Sequence, residues 1–178
     1  MASSFERFLR RAISSFRPST GTGLRRKVSS GAHPRRTTPV TGGLSVPYPG
    51  DFRGTGSARY EPKPDGRPDS GEIVWTWVPY EEDYSRGKDR PVLLVGSTGS
   101  RLLALMLTSK DHGEHSGADH DYLDLGSGPW DTQGRPSEVK LDRILQIDPR
   151  DIRREGAVLD AGHFSRVAAA LRARYGWR

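Results

Sequence analysis

The stretch RPVLLVGSTGSRLLALMLTS (90–109) decides the fold. Two apolar runs flank residues 97–100, whose Ser, Thr and Gly are typical of a tight turn. The run over 101–109 also has the composition of a helix, but the turn and the apolar run before it favour a β-hairpin. The sequence therefore predicts two adjacent antiparallel strands, over 90–97 and 101–109.

Another strand is predicted before this hairpin. The segment GEIVWTWVP (71–79) alternates along its length, which places Ile73, Trp75 and Trp77 on one mostly buried face. Pro79 ends the strand because proline has no N–H for a ladder. The polar stretch 80–89 is then expected to be a loop.

More short strands and a helix are predicted after the hairpin. The strands lie over 122–126, 138–148 and 157–160. Asp148 is expected to cap a helical turn that ends at Gly156, and Asp160 or Ser165 to begin a terminal helix. The buried face of this helix is predicted to be Phe164, Val167, Ala168, Leu171 and Tyr175. The predicted fold class is mainly β, a small β-barrel with short helices and a C-terminal amphipathic helix.

Charge divides the chain into two parts. The first 69 residues carry 13 basic and 5 acidic side chains, whereas residues 70–178 carry 15 and 17. A basic arm on a nearly neutral domain favours an anionic partner for the arm or, equally, a solvated extension. Cysteine is absent, which excludes disulfides, thiolate metal sites and a cysteine nucleophile. No run of about 18 apolar residues is present that could span a membrane.

The basic N-terminal extension is predicted to have two segments. Residues 1–16 have apolar side chains at helical spacing, with arginines off the stripe. This amphipathic basic helix is expected to dock locally or to fray, in preference to lying on an anionic membrane. Residues 17–69 are rich in Pro, Gly, Ser and Arg and are predicted to be a flexible linker, so the extension as a whole is expected to be largely disordered. The folded domain is predicted over 70–178.

This domain resembles the PemK/MazF toxins of type II toxin–antitoxin systems. The blocks that carry the resemblance are GEIVW (71–75), RPVLLV (90–95), LTS (107–109) and EVKLDRILQID (138–148), in this order and spacing. The resemblance implies an SH3-like barrel, a homodimer and a cognate antitoxin whose tail occupies the RNA groove. It also implies cleavage of single-stranded RNA by 2′-OH attack without a metal or other cofactor. A cytoplasmic location and DNA binding through the antitoxin complex go with this family.

The resemblance assigns catalytic roles to Arg90 and Thr108. A guanidinium offers a planar fork for two phosphate oxygens, and Pro91 restricts the backbone around Arg90. A hydroxyl at Thr108 can bind a phosphate oxygen or orient the 2′-OH, and Ser109 can share that work. Antiparallel pairing across the tight turn is expected to bring Arg90 close to Thr108. Lys110 is a further candidate for RNA binding.

The loop over 80–89 supplies the other candidate RNA contacts. Arg86 and Lys88 are candidates for phosphate binding, and Tyr84 for stacking on a base. Glu82 is a candidate base. The alternative is a solvated loop without a role.

Three histidines, His112, His115 and His120, lie among acidic residues, as in a metal cluster. No regular element fixes them, so a solvated recognition loop is favoured and no metal site is predicted. Arg143 departs from the family, which usually has Gln there, and is expected to alter dimer packing or base selection. The alternative to a ribonuclease is a non-catalytic SH3-like module of the same family that binds RNA or protein.

Overall fold

The computed structural model describes residues 43–109 and 120–178, with the side chains of 154–156 excepted. The strands are β1 (Glu72–Pro79), β2 (Gly87–Thr98), β3 (Arg101–Thr108), β4 (Tyr122–Gly126), β5 (Ser137–Ile147) and β6 (Ile152–Val158). A 3₁₀ turn (Pro149–Asp151) precedes β6, and one helix, α1 (Ala161–Tyr175), follows it. In these described ranges the strands form a single antiparallel sheet in the order β4-β5-β3-β2-β1-β6. The mainly β class with a C-terminal helix is confirmed.

Two boundaries differ from the sequence prediction. β2 begins at Gly87, inside the predicted loop, because Gly87 and Lys88 extend the ladder by pairing with Pro79 and Val78 of β1. The predicted helical turn ends at Asp151 and does not reach Gly156. The reason is that residues from Ile152 onward pair with the free edge of β1 as strand β6.

The sheet is buried on both faces. One face packs against α1, and the other carries a second apolar cluster that includes Val74, Val92 and Leu94. The prediction of a buried Ile73–Trp75–Trp77 face is therefore only partly right: Ile73 is fully buried, but Trp75 and Trp77 are half-buried. Residues packed on the second face bury the alternate positions of β1 instead.

Helix α1 forms as its sequence predicts. Asp160 is the N-cap and accepts a hydrogen bond from the backbone N–H of His163 at 3.0 Å, and Gly176 ends the helix at a φ of 66°. The predicted face is buried, except that Tyr175 is half-buried and donates its hydroxyl hydrogen to the carbonyl of Leu141 at 2.8 Å. The helix therefore closes one face of the sheet. It is too short to reach across a bilayer, and no other helix in the described part of the chain is long and apolar enough to do so.

Residues 43–69, here called the strap, pack against the sheet. The prediction of a flexible linker is wrong for this part of 17–69, because Leu44 and Ala58 are buried. The backbone N–H of Phe52 donates to the carbonyl of Ile144 at 2.8 Å, and that of Ala58 to the carbonyl of Arg178 at 2.9 Å. The strap is thus part of the fold. The predicted helix over 1–16 and the remainder of the linker lie outside the described residues.

A buried charge cluster, here called the clamp, fastens the strap to β5. Arg143 donates from Nε to Oδ2 of Asp51 at 2.9 Å and from Nη1 to the carbonyl of Pro79 at 2.7 Å. Tyr48 donates its hydroxyl hydrogen to the other oxygen of Asp51 at 2.6 Å. Burial and the hydrogen bond to Asp51 both raise the pKa of Tyr48. Burial lowers the pKa of Arg143, but bonding to Asp51 outweighs it and leaves that pKa raised, so the cluster holds one full ion pair.

Candidate active site

A pocket of about 180 Å³ lies where β2 begins and β3 ends. Three residues predicted from the sequence line it together, namely Arg90, Thr108 and Ser109. The rest of its lining is Trp75, Asp89, Pro91, Leu107, Trp130, Asp131, Arg135 and Ser137. The pocket therefore combines hydroxyls, two guanidiniums, two carboxylates and two indoles.

Strand register brings Arg90 and Thr108 together. β2 and β3 are antiparallel with Val92 opposite Met106, so two further residues along each strand Arg90 is level with Thr108. On its other side Arg90 pairs with Thr76 of β1. The predicted proximity across the tight turn is confirmed.

The environment of Arg90 is that of a ligand-binding side chain. It is half-buried, and its guanidinium has no hydrogen bond or ion pair with any residue of 43–109 or 120–178. Thr108 is half-buried and lies opposite Glu138 of β5, whereas Ser109 is exposed. A half-buried cation without a partner among the described residues is suited to bind an anion.

The loop between β4 and β5 contributes pocket residues that the sequence analysis treated only as loop. Trp130 is 6% exposed and donates from Nε1 to Oγ of Ser137 at 3.1 Å. Asp131 accepts from Nε of Arg135 at 2.8 Å and from the backbone N–H of Gln133 at 2.8 Å. The backbone hydrogen bond from Gln133 lowers the pKa of Asp131, so the carboxylate is held ionised. The signal available was a tryptophan in the otherwise polar stretch GPWDTQG (128–134).

The other candidate RNA contacts do not line this pocket. Tyr84 packs edge-on against Tyr48 of the strap, with ring centroids 5.0 Å apart. Arg86 lies over the ring of Tyr80, and Lys88 is an exposed residue of β2. Lys110 lies outside the described residues, so its predicted role stays a prediction.

The general base suggested by the sequence also lies outside the pocket. Glu82 is exposed and is not among the residues that line the pocket. The carboxylates that do line it belong to Asp89 and Asp131. Asp89 forms an ion pair of 3.7 Å with Arg153, which does not line the pocket.

The histidine cluster is described only in part. His112 and His115 lie outside the described residues, and His120 is exposed, with its carbonyl accepting a hydrogen bond from Arg174. Within 43–109 and 120–178 no group of three or more His, Asp or Glu side chains is arranged to hold a metal ion.

Arg143, expected from the sequence to alter dimer packing or base selection, is instead 6% exposed and bound within the chain. It does not line the pocket. Its charge is used to hold Asp51 and the carbonyl of Pro79.

Comparison with known protein families places the chain in a class. Residues 69–174 match the family described as PemK-like, MazF-like toxin of type II toxin–antitoxin system. The match covers more than half of the chain and contains every strand and almost all of α1. The chain therefore belongs to this toxin family.

Solved structures with a similar fold include MazF from Deinococcus radiodurans, which is 22% identical with a TM-score of 0.49 and is matched over 63% of this chain and 99% of that one. Toxin MazF-mt6 from Mycobacterium tuberculosis is 16% identical with a TM-score of 0.43, over 60% and 98%. An endoribonuclease in complex with its cognate antitoxin, from a mycobacterial species, is 14% identical with a TM-score of 0.47, over 61% and 95%. A comparison with curated proteins finds no match.

Proposed function

We propose that this toxin is an endoribonuclease that cleaves single-stranded RNA by attack of a 2′-OH, without a metal ion. The observation that carries the proposal is the convergence of Arg90 and Thr108 on one pocket, with Arg90 unpaired in the described part of the chain. Membership of the PemK-like, MazF-like family supports it.

The proposed reaction is an internal phosphoryl transfer. The 2′-oxygen forms a bond to phosphorus and gives its proton to a carboxylate of the pocket. The bond from phosphorus to the 5′-oxygen breaks, and that oxygen takes a proton from solvent water. The products are a 2′,3′-cyclic phosphate and a 5′-hydroxyl. Arg90 stabilises the charge that develops on the non-bridging oxygens, and Thr108 donates a hydrogen bond to one of them. Ser109, exposed beside Thr108, binds the next phosphate.

The proton of the 2′-OH goes to Asp89. Of the two carboxylates that line the pocket, Asp131 already accepts from Arg135 and Gln133 and its pKa is lowered. Asp89 is engaged in the described part of the chain by the 3.7 Å ion pair with Arg153, a longer contact than either hydrogen bond of Asp131, and we propose it as the base for this reason.

The partners follow from the family. We propose a homodimer that is inhibited by a cognate antitoxin, acts in the cytoplasm and binds DNA only within the antitoxin complex. The family is described as the toxin of a type II toxin–antitoxin system, which supports an antitoxin partner. The basic segment over 1–42 is proposed to hold RNA, with membrane contact by 1–16 as the less favoured alternative.

The test is cleavage of single-stranded RNA by the purified full chain in excess EDTA. The full chain is used because the strap is part of the fold. We expect cleavage in EDTA at the rate seen with added Mg²⁺, and new ends that carry a cyclic phosphate. A requirement for a divalent ion overturns the mechanism. RNA binding without cleavage under either condition favours the non-catalytic module.

A further inference from the structure

One half of the active-site pocket is not used by the cleavage chemistry proposed above. It consists of Trp75, Trp130 and the Asp131–Arg135 pair, all of which line the same 180 Å³ space as Arg90. A site that cleaves RNA selectively must also recognise a base, because phosphate contacts carry no sequence information. This half of the pocket is placed to do so.

Arg135 is held in one orientation by its neighbour. Asp131 is anchored by the backbone N–H of Gln133, and it binds Nε of Arg135 at 2.8 Å. The Asp131 side chain is 11% exposed, whereas that of Arg135 is 53% exposed. With Nε committed to Asp131, the two terminal nitrogens of Arg135 have no hydrogen-bond partner in the described part of the chain. They form a positioned pair of donors on a side chain that lines the pocket and is open to solvent.

The indoles and the size of the pocket fit a planar ring. A volume of 180 Å³ is several times the ~30 Å³ that a water molecule occupies in the liquid. Bases of single-stranded RNA are splayed out and stack on aromatic side chains, and both Trp75 and Trp130 line the space.

The geometry points to a guanine-binding subsite: we propose that Arg135, positioned by Asp131, recognises O6 and N7 of a guanine next to the cleaved phosphate while Trp75 stacks on the base. This inference rests on the proposed function, since it names a base of the RNA that the pocket cleaves. Two parallel donors match the two acceptors of guanine. Adenine presents an amino donor at that edge, and pyrimidines lack N7.

The experiment measures binding, so that it does not depend on cleavage. The full chain carrying Arg90→Ala is titrated, by fluorescence anisotropy in EDTA, with a short oligouridylate RNA and with the same RNA containing one central guanosine. We expect about tenfold tighter binding of the guanosine RNA, within the range for one bidentate base contact. Adding Arg135→Gln is expected to abolish this preference.

The matched control is Arg67→Gln. Arg67 also pairs with an aspartate of its own loop, Asp65 at 3.8 Å, but it lies outside the pocket. We expect it to leave the preference unchanged. Both arginines are largely exposed, so circular dichroism should be the same for all three proteins.

Three results overturn the inference. They are equal affinity for the two RNAs, a preference that survives Arg135→Gln, and an equal loss of affinity for both RNAs, which would make Arg135 a phosphate contact. If the wild-type chain does not cut RNA but the Arg135-dependent preference is found, the proposed function fails and the subsite stands. If it cuts RNA without that preference, the reverse holds.

Discussion

The position of Arg90 is fixed by Pro91, which follows it in sequence, and by the two strands that flank it. Pro91 restricts its backbone to the extended region, and β1 and β3 flank it at the start of β2. The side chain contributes little to either apolar cluster, because it is only half-buried and belongs to neither. Its charge is therefore available for the proposed chemistry.

We expect Arg90→Ala to fold normally and to slow single-turnover cleavage by about 10²–10³-fold, the scale for loss of one preorganised donor. Arg90→Lys should recover only part of the rate, since lysine keeps the charge and loses the fork. Thr108→Ala should cost less, and the two losses should not add if both residues hold one phosphate. Wild-type cleavage by Arg90→Ala, with unchanged circular dichroism, contradicts the catalytic role.

At the level of secondary-structure elements, the clamp holds the strap against β5. Arg143 and Asp51 form an ion pair in a site where their side chains are 5% and 16% exposed, and Nη2 of Arg143 is buried there without a hydrogen bond in the described part of the chain. Removal of one partner leaves the other as a buried charge without compensation.

We expect Asp51→Asn to lower the free energy of unfolding by about 3–5 kcal/mol, the usual cost of breaking a buried ion pair. The double variant Asp51→Asn, Arg143→Gln should recover much of this loss, because no charge is then left buried. Urea unfolding of the four proteins completes the cycle. Additive losses in the double variant contradict the coupling.

The residue that caps the 3₁₀ turn, Asp148, makes a contribution to stability that depends on pH. The hydrogen bond from Arg150 lowers the pKa of Asp148 from 3.8 to about 2. Because the folded-state pKa is lowered, the contribution is present above about pH 4 and is lost as the pH falls toward 2. Asp148→Asn keeps a capping side chain and removes the charge.

We therefore expect Asp148→Asn to unfold with a shallower loss of stability between about pH 4 and pH 2 than the wild-type chain. At pH 7 the variant should be the less stable of the two. Urea midpoints across this pH range measure both effects. Parallel curves for the two proteins contradict the assignment.

Strands β1 to β5 could be predicted from the sequence because each has its own apolar run, and the register of the hairpin because its turn is tight. Most of β6 could not, because residues 152–156 are mainly polar and are strand only through their pairing with β1. The strap could not, because its anchors Leu44, Phe52 and Ala58 have no periodicity and find their partners far along the chain. The same difference between local and long-range contacts explains which residues of the site could be predicted. Arg90 and Thr108 follow from local pairing, whereas the place of Trp130 depends on how a loop folds back onto Ser137.

In the molecule as a whole, the excess of basic side chains lies on the N-terminal side of the strap. Residues 1–42 carry 9 basic and 1 acidic side chains, whereas residues 43–69 carry 4 of each. The excess positive charge of the N-terminal region therefore belongs to the segment before the strap. Counterion release by such a segment makes RNA binding dependent on salt.

We expect deletion of residues 1–42 to weaken RNA binding and to flatten its salt dependence by about 0.7 in log–log slope for each phosphate that the protein no longer neutralises. The cleaved sequence should stay the same, since base contacts determine it. The measurement is affinity for one RNA over a series of salt concentrations. An unchanged slope shows that the segment does not bind RNA.

The contacts between the strap and residues 177–178 bear on the order in which the protein folds. Arg178 exchanges backbone hydrogen bonds with Gly56 and Ala58, and Trp177 is buried beside Phe52 of the strap. Contacts between residues so far apart in sequence cost loop-closure entropy and form slowly. We therefore expect this region to reach its native structure later in folding than the hairpin of β2 and β3, whose contacts are local.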